Sequence, residues 1–146
     1  MKHVLHETIR FMPKIFTSDK QKIGKLGENI AERFLMKHGF TIIESNYTKK
    51  WGEIDIVAQK NNKLFFCEVK SKSVNSISDV THETNTYRPE DNMHPWKAKR
   101  FSRTIQTYLL DRNISESMEW EVDLLVVFLD IKSKKAKVKV VKDIIL

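Results

Sequence analysis

Residues 52–70 constrain the fold more than any other part of the chain. They read GEIDIVAQKNNKLFFCEVK, two apolar-rich runs on either side of the pair Asn61-Asn62. Asparagine tolerates the positive φ angles of a two-residue hairpin turn, so the pattern predicts two antiparallel strands. Counted outward from that turn, Asp55 falls opposite Glu68, and Glu53 falls opposite Lys70.

This register brings two carboxylates together. Directly opposed residues have Cβ atoms roughly 5 Å apart, and like charges at that separation destabilise a sheet. A divalent cation would remove the repulsion, and carboxylate oxygens are ligands that Mg²⁺ and Mn²⁺ prefer. Lys70 follows Glu68 by two residues and shares its strand face. The hairpin therefore predicts a metal site at Asp55 and Glu68 with an ammonium group beside it.

Composition bounds the class of protein. A chain of 146 residues is long enough for one domain with a core. The net charge of +7 indicates a polyanionic partner such as nucleic acid, although a solvated lysine-rich surface explains it equally well. The single cysteine, Cys67, excludes an internal disulfide and favours a reducing, cytoplasmic setting, with a role as a small core residue. No apolar run has the length of a membrane span, so we expect no membrane partner.

The chain divides into an extension, residues 1–17, and one domain, residues 18–146. The extension is weakly amphipathic and interrupted by Pro13; a packed helix, a mobile arm and a membrane-surface segment are all compatible with it. It lacks the apolar core and cleavage site of a signal peptide. A first helix is predicted from Ser18, a capping residue, to the stop at Gly39. Glu28 lies at the edge of its apolar face, where an ordinary exposed glutamate is the simpler interpretation.

Strands are predicted at 41–48, 53–59 and 64–70, followed by a long loop at 71–94 without periodicity. Its histidines, His82 and His94, have no metal-ligand partner at useful spacing, so we expect both to face solvent.

A second helix is predicted over 95–111, with Pro95 in its first turn. Lys97 projects near the apolar side at the helix start, where backbone N–H groups favour anions, which indicates a phosphate contact. Arg100 and Lys72 are further candidates for phosphate binding, although a solvated surface is the simpler interpretation of Arg100.

The apolar run 121–130 predicts a central strand. Asp123 within it needs partners, as a structural hydrogen-bonding hub or as a neighbour of the site, and we favour the structural role. Alternating Lys and Val at 136–142 predict an edge strand. The expected fold is therefore α/β: a mixed sheet flanked by helices, in the order α-β-β-β-α-β-β, with the central strand parallel to the hairpin strand it follows.

Several motifs together resemble a known family. Gly24-Lys-Leu-Gly27-Glu28, Gly52-Glu53-Ile54-Asp55 and Glu68-Val69-Lys70, continued by Lys97 and Asp123, are similar to the YraN family of small bacterial proteins over about residues 22–128. That family is placed in the restriction-endonuclease-like, PD-(D/E)XK, nuclease superfamily. The resemblance implies Mg²⁺- or Mn²⁺-dependent phosphodiester cleavage, with Glu28, Asp55 and Glu68 as metal ligands and Asp55, Glu68 and Lys70 as the catalytic set. Glu53 belongs to the motif without a clear role, and pairing with Lys70 is our interpretation.

Two departures from the family pattern stand out. Ser71-Lys72 stands where a small residue and Arg are common, and Glu121 stands where Arg is usual, which puts a basic contact beside Asp123 in doubt. Neither removes a residue that the chemistry requires. Two hypotheses follow: a nuclease acting on DNA, more than RNA, in repair or recombination intermediates, or a nucleic-acid-binding protein of the same fold without turnover. A homodimer is compatible with either.

Overall fold

The computed structural model describes residues 4–11, 20–80 and 95–146. Two long helices lie in it, α1 (Lys20–Lys37) and α2 (Pro95–Asp111). The six strands, in chain order, are β1 (Val4–Arg10), β2 (Thr41–Lys49), β3 (Gly52–Lys60), β4 (Lys63–Ser73), β5 (Glu119–Asp130) and β6 (Lys135–Val141). Both helices match their predictions closely, and α1 is followed by Gly39 at φ +89°, a conformation that suits glycine.

All six strands form one mixed sheet in the order β1-β6-β5-β4-β3-β2. The β4–β5 pair is parallel and the other pairs are antiparallel, as the expected fold class requires. Helix α1 packs on one face, over a core that includes Ile30, Phe34 and Cys67, and α2 packs on the other through Phe101 and Tyr108. Strand β5 is buried between both layers, so its apolar run does mark a central strand. The architecture is consistent with a restriction-endonuclease-like core.

The β3–β4 hairpin has the predicted register. Lys60 pairs with Lys63, and the turn residues Asn61 and Asn62 have φ angles of 52° and 61°. The two positive φ angles match the right-handed twist of the strands, which is why this short turn sets the register. The ladder runs only as far as Ile56 and Cys67, one step before Asp55 would meet Glu68.

Two features differ from the sequence-based expectation. Val4–Arg10, part of the extension expected to be helical or mobile, is a strand that pairs antiparallel with β6. Strand β6 therefore lies inside the sheet and is not an edge strand, because alternation of Lys and Val shows which side chains point outward but not how many neighbours a strand has. The order accordingly gains one strand before α1.

Residues 71–80 of the predicted loop are among those that the structure describes. Strand β4 continues to Ser73, and a single 3₁₀ turn spans Ile77–Asp79. Residues 81–94, with His82 and His94, lie outside the described residues, as do Ser18 and the rest of the extension beyond residues 4–11.

Candidate metal centre

The alternation of strand β3 breaks at Asp55. Ile54 and Ile56 pack into cores on opposite faces of the sheet, although residues two apart in a regular strand share a face. Asn46, between the partners of these two residues on β2, has a positive φ of 55°. The Asp55 carboxylate accepts a hydrogen bond from the Val69 N–H through Oδ2, at 2.8 Å. The Asp55 side chain thus accepts a hydrogen bond of the kind that a backbone carbonyl accepts in a regular ladder, at the point where β3 and β4 separate.

Three carboxylates converge at this opening. One oxygen each of Glu28, Glu53 and Asp55 lies within 4.8 Å of the other two. Helix α1 supplies Glu28, and its close approach depends on Gly27, because a Cβ there would lie 1.8 Å from Ser71 Oγ and 3.0 Å from Ser71 Cβ. We call these three residues the acidic trio. Two members were expected as metal ligands, and Glu53, assigned no clear role from sequence, joins them.

The surroundings of the trio disfavour ionisation of Asp55 and Glu28. Burial raises the pKa of Asp55 to about 8, the charge of Glu68 adds to the shift, and the Val69 N–H opposes it. Burial also raises the pKa of Glu28, against the opposing charge of Lys25. Glu28 Oε1 is buried and has no hydrogen-bond partner among the described residues. A buried acceptor without a donor, beside two further carboxylates, fits a bound divalent cation, for which oxygen ligands are the appropriate donor set.

Glu68 lies near the trio but is not a member of it among the described residues. Lys97 Nζ is 2.9 Å from Glu68 Oε1. Both side chains line a cavity of about 370 Å³, together with Asp55, Glu53 and Arg100. Asp55 and Glu68 were expected to lie directly opposite each other in the ladder. They are not paired in it, but both line the same cavity.

Lys70 lines a second cavity, of about 500 Å³, with Glu28 and Asp55. Asp55 borders both cavities and so lies between the one that Lys70 lines and the one that Lys97 lines. The expected Glu53–Lys70 pairing does not form in the β3–β4 ladder, which ends before these positions, and Glu53 belongs to the acidic trio instead.

Basic and aromatic groups surround the first cavity. Two of the residues predicted to contact phosphate, Lys97 and Arg100 of α2, line it, whereas the third, Lys72, is exposed on β4 and lines neither cavity. The end of β2 and the turn that follows it contribute a further set that sequence reasoning missed, Lys49, Lys50 and Trp51. The run Lys-Lys-Trp directly before the Gly-Glu-Ile-Asp motif was the signal that could have indicated them.

Asp123 belongs to a different cluster, the hub, which also contains Glu121, Lys63 and Lys142. Asp123 Oδ1 accepts from the Asp143 N–H at 3.0 Å, and Lys142 Nζ lies 3.4 Å from a carboxylate oxygen of Asp123 and of Glu121. Lys63 Nζ is 2.8 Å from Glu121 Oε1. These contacts support the structural role favoured for Asp123. Glu121 stands where the family usually has Arg, and Lys63 and Lys142 supply basic groups to this cluster instead.

Comparison with known proteins decides the family. The model of the family described as "Uncharacterised protein family UPF0102" matches residues 27–127, which include every proposed metal ligand. The chain belongs to the UPF0102 family. This is the family that the sequence motifs resemble under the name YraN, and the resemblance is confirmed.

Curated UPF0102 proteins match most of the chain. A UPF0102 protein of Flavobacterium psychrophilum is 30% identical over 81% of this chain and 90% of its own length. One from Campylobacter fetus subsp. fetus is 36% identical over 70% of this chain and 80% of its own. One from Caldicellulosiruptor bescii is 27% identical over 84% and 96%, respectively. These matches establish membership of the family.

Within the described part of the chain, neither long helix is apolar enough over sufficient length to cross a membrane.

Proposed function

We propose that this UPF0102 protein is a cytoplasmic nuclease that hydrolyses phosphodiester bonds, with DNA repair or recombination intermediates as its substrates and Mg²⁺ or Mn²⁺ as its cofactor. The observation that carries the proposal is the acidic trio: three converging carboxylates, one with a buried oxygen that lacks a partner among the described residues, beside a cavity rimmed by Lys97 and Arg100. Carboxylates that attract a cation and basic groups that attract phosphates are the two elements that metal-assisted phosphodiester hydrolysis requires.

Each residue has a proposed role. Asp55 and Glu28 would hold the cation, with Glu53 or Glu68 as further ligands. A bound divalent cation supplies a water of lowered pKa and stabilises charge on the phosphate. Lys70, which borders Asp55 from the second cavity, would orient or deprotonate the attacking water or offset the charge that develops on the phosphate.

Nucleic acid would approach from the basic side. Lys97 and Arg100 would contact backbone phosphates at the first cavity, and Lys72 would contact them further along β4. Such contacts carry little sequence information and depend strongly on salt.

A non-catalytic nucleic-acid-binding protein is the alternative. It is favoured by one observation, the ion pair that holds Glu68 to Lys97 and leaves it outside the acidic trio. Salt-dependent binding is expected under both functions and does not separate them.

A cleavage assay separates the two. The purified protein is incubated with duplex, flap, junction and single-stranded DNA and with RNA, with Mg²⁺ or Mn²⁺ or with chelator. We expect metal-dependent cleavage that falls at least about 100-fold in Asp55→Asn and Lys70→Met, while nucleic-acid binding is retained. Glu116→Gln and Lys99→Met, exposed positions of the same charge types outside both cavities, serve as matched controls. Uncut substrates throughout the panel would favour the binding protein.

A further inference from the structure

Glu68 has a cationic partner at the edge of the proposed metal centre. Lys97 Nζ lies 2.9 Å from Glu68 Oε1, in a cavity where the side chains of Glu68 and Lys97 are 15% and 33% exposed. Such a separation is that of a hydrogen-bonded ion pair, and partial burial shields it from solvent and salt. The ammonium group therefore neutralises a carboxylate that could otherwise turn toward a cation at Asp55.

The same ammonium group faces the path of a phosphate. Lys97 lies in the first turn of α2, and Arg100, three residues later, lines the same cavity. Residues at this spacing share one side of a helix, so a phosphate entering the cavity meets both cations together. Its oxygens would compete with the Glu68 carboxylate for the hydrogen atoms of Lys97.

Glu68 and Asp55 line the same cavity, and Asp55 Oδ2 accepts a hydrogen bond from the N–H of Val69, the residue that follows Glu68. A divalent cation bound by Asp55 would therefore attract Glu68 as well, provided that Lys97 releases it.

Building on the proposed function, we propose that Lys97 is a positioning residue that couples phosphate binding to divalent-cation binding. Without nucleic acid, Lys97 holds Glu68 away from the acidic trio. When a backbone phosphate takes the ammonium group, Glu68 becomes available to the cation. Coupling of this kind is reciprocal, so the bound cation in turn frees Lys97 for the phosphate. The consequence is a metal centre that fills most readily when substrate is present.

The test measures Mn²⁺ affinity by isothermal titration calorimetry in the absence of nucleic acid. We expect Lys97→Met to bind Mn²⁺ about 5-fold more tightly than the wild type, because the competing cation is gone. Lys99→Met, which removes the same charge from an exposed position on α2, should leave the affinity within about 2-fold. A single-stranded oligothymidylate with phosphorothioate linkages, which resist hydrolysis, should tighten Mn²⁺ binding in the wild type by about 5-fold and not in Lys97→Met.

A double variant shows whether Lys97 acts through Glu68. In a Glu68→Gln background, Lys97→Met should no longer tighten Mn²⁺ binding, since no carboxylate remains to be released. If Lys97→Met does not fold, the oligothymidylate titration of the wild type still tests the coupling, because it needs no substitution at Lys97.

The outcomes distinguish the two proposals. If Lys97→Met and Lys99→Met bind Mn²⁺ alike while Asp55→Asn has lost it, the coupling is wrong and the metal centre stands. If the wild type does not bind Mn²⁺, or Asp55→Asn binds it as the wild type does, the metal centre is wrong and the coupling is overturned with it.

Discussion

The acidic trio and the hub each contain an aspartate from an interior strand of the sheet, half-buried at Asp55 and buried at Asp123, yet their surroundings differ. Asp123 receives a backbone N–H and the ammonium group of Lys142, and Lys63 neutralises the neighbouring Glu121. Asp55 receives one N–H, from Val69, and its other close neighbours include the carboxylates of the trio and Glu68.

The two clusters differ in whether they contain cationic groups that contact their own carboxylates. Burial and the hydrogen bond with Glu121 raise the pKa of Asp123 to about 7, against the opposing effects of the Asp143 N–H and the charge of Lys142. Burial alone would also raise the pKa of Glu121, but its hydrogen bonds with Asp123 and Lys63 bring it below the usual value. The trio has no comparable set of lysines in direct contact among the described residues. A structural cluster contains its own counterions, whereas a binding site leaves the charge for its ligand to neutralise.

The largest expected effect is at the hub. Lys142→Met leaves the partly buried Asp123 and Glu121 without one of their cations, and we expect a loss of about 2 kcal/mol in the free energy of unfolding, less than for a fully buried pair because Lys142 is partly exposed. Urea unfolding measures it, with the exposed Lys99→Met as the matched control. A loss no greater than that of the control would remove the contrast between the clusters.

A smaller effect of opposite sign is expected at the trio. The pKa of Asp55 rises from 3.8 to about 8 on folding, so the folded state binds the proton more tightly and metal-free stability falls as the pH rises from about 4 to about 8. Asp55→Asn removes that loss and keeps an acceptor for the Val69 N–H. We expect the variant to be more stable than the wild type by about 1 kcal/mol at pH 8, in chelator, and by less at pH 5.

Chemical unfolding of both proteins at the two pH values measures this difference. A variant less stable than the wild type at pH 8 would mean that Asp55 is a structural residue like Asp123, and the two regions would no longer differ in kind.

The smallest effect concerns the position of helix α1 relative to the trio. Gly27→Ala places a methyl group against Ser71, so the clash offsets the helix-propensity gain of about 1 kcal/mol, and we expect a net loss of about 1 kcal/mol or less. Gly24→Ala is the control, because nothing lies within 4 Å of its Cβ, and it should gain about 0.5–1 kcal/mol.

The Mn²⁺ affinities of Gly27→Ala and Gly24→Ala give a second measurement of the difference between these two variants. Gly27→Ala moves Glu28 relative to Asp55 and should weaken Mn²⁺ binding, whereas Gly24→Ala should not. Equal Mn²⁺ affinity in the two alanine variants would indicate that Glu28 is not a ligand.

Local patterns predicted the elements that position the site. The Asn61-Asn62 turn correctly indicated the hairpin register, because the positive φ angles it needs are set by the turn residues themselves. Helix α2 begins at Pro95 as expected, since proline suits the first helical turn. The apolar run of β5 identified the centre of the sheet.

Other features depend on neighbours that a local pattern does not reveal. Strand β1 (Val4–Arg10) pairs with β6. This pairing between the two ends of the chain places β6 inside the sheet. Glu53 joined the trio because the alternation of β3 breaks at Asp55, opposite a positive φ at Asn46. Glu68 pairs with Lys97 because helix α2 places its first turn over the cavity.

The amino-acid sequence by itself determined five of the six strands, both helices and the hairpin register that brings Asp55 near Glu68, because turn chemistry and hydrophobic periodicity act over a few residues. Only the tertiary structure decided which carboxylates converge and which receive a lysine, because those distances depend on how closely α1 and α2 approach opposite faces of the sheet. The local sequence determines which charged groups each strand or helix carries, and the packing of distant elements determines which of these groups contact one another.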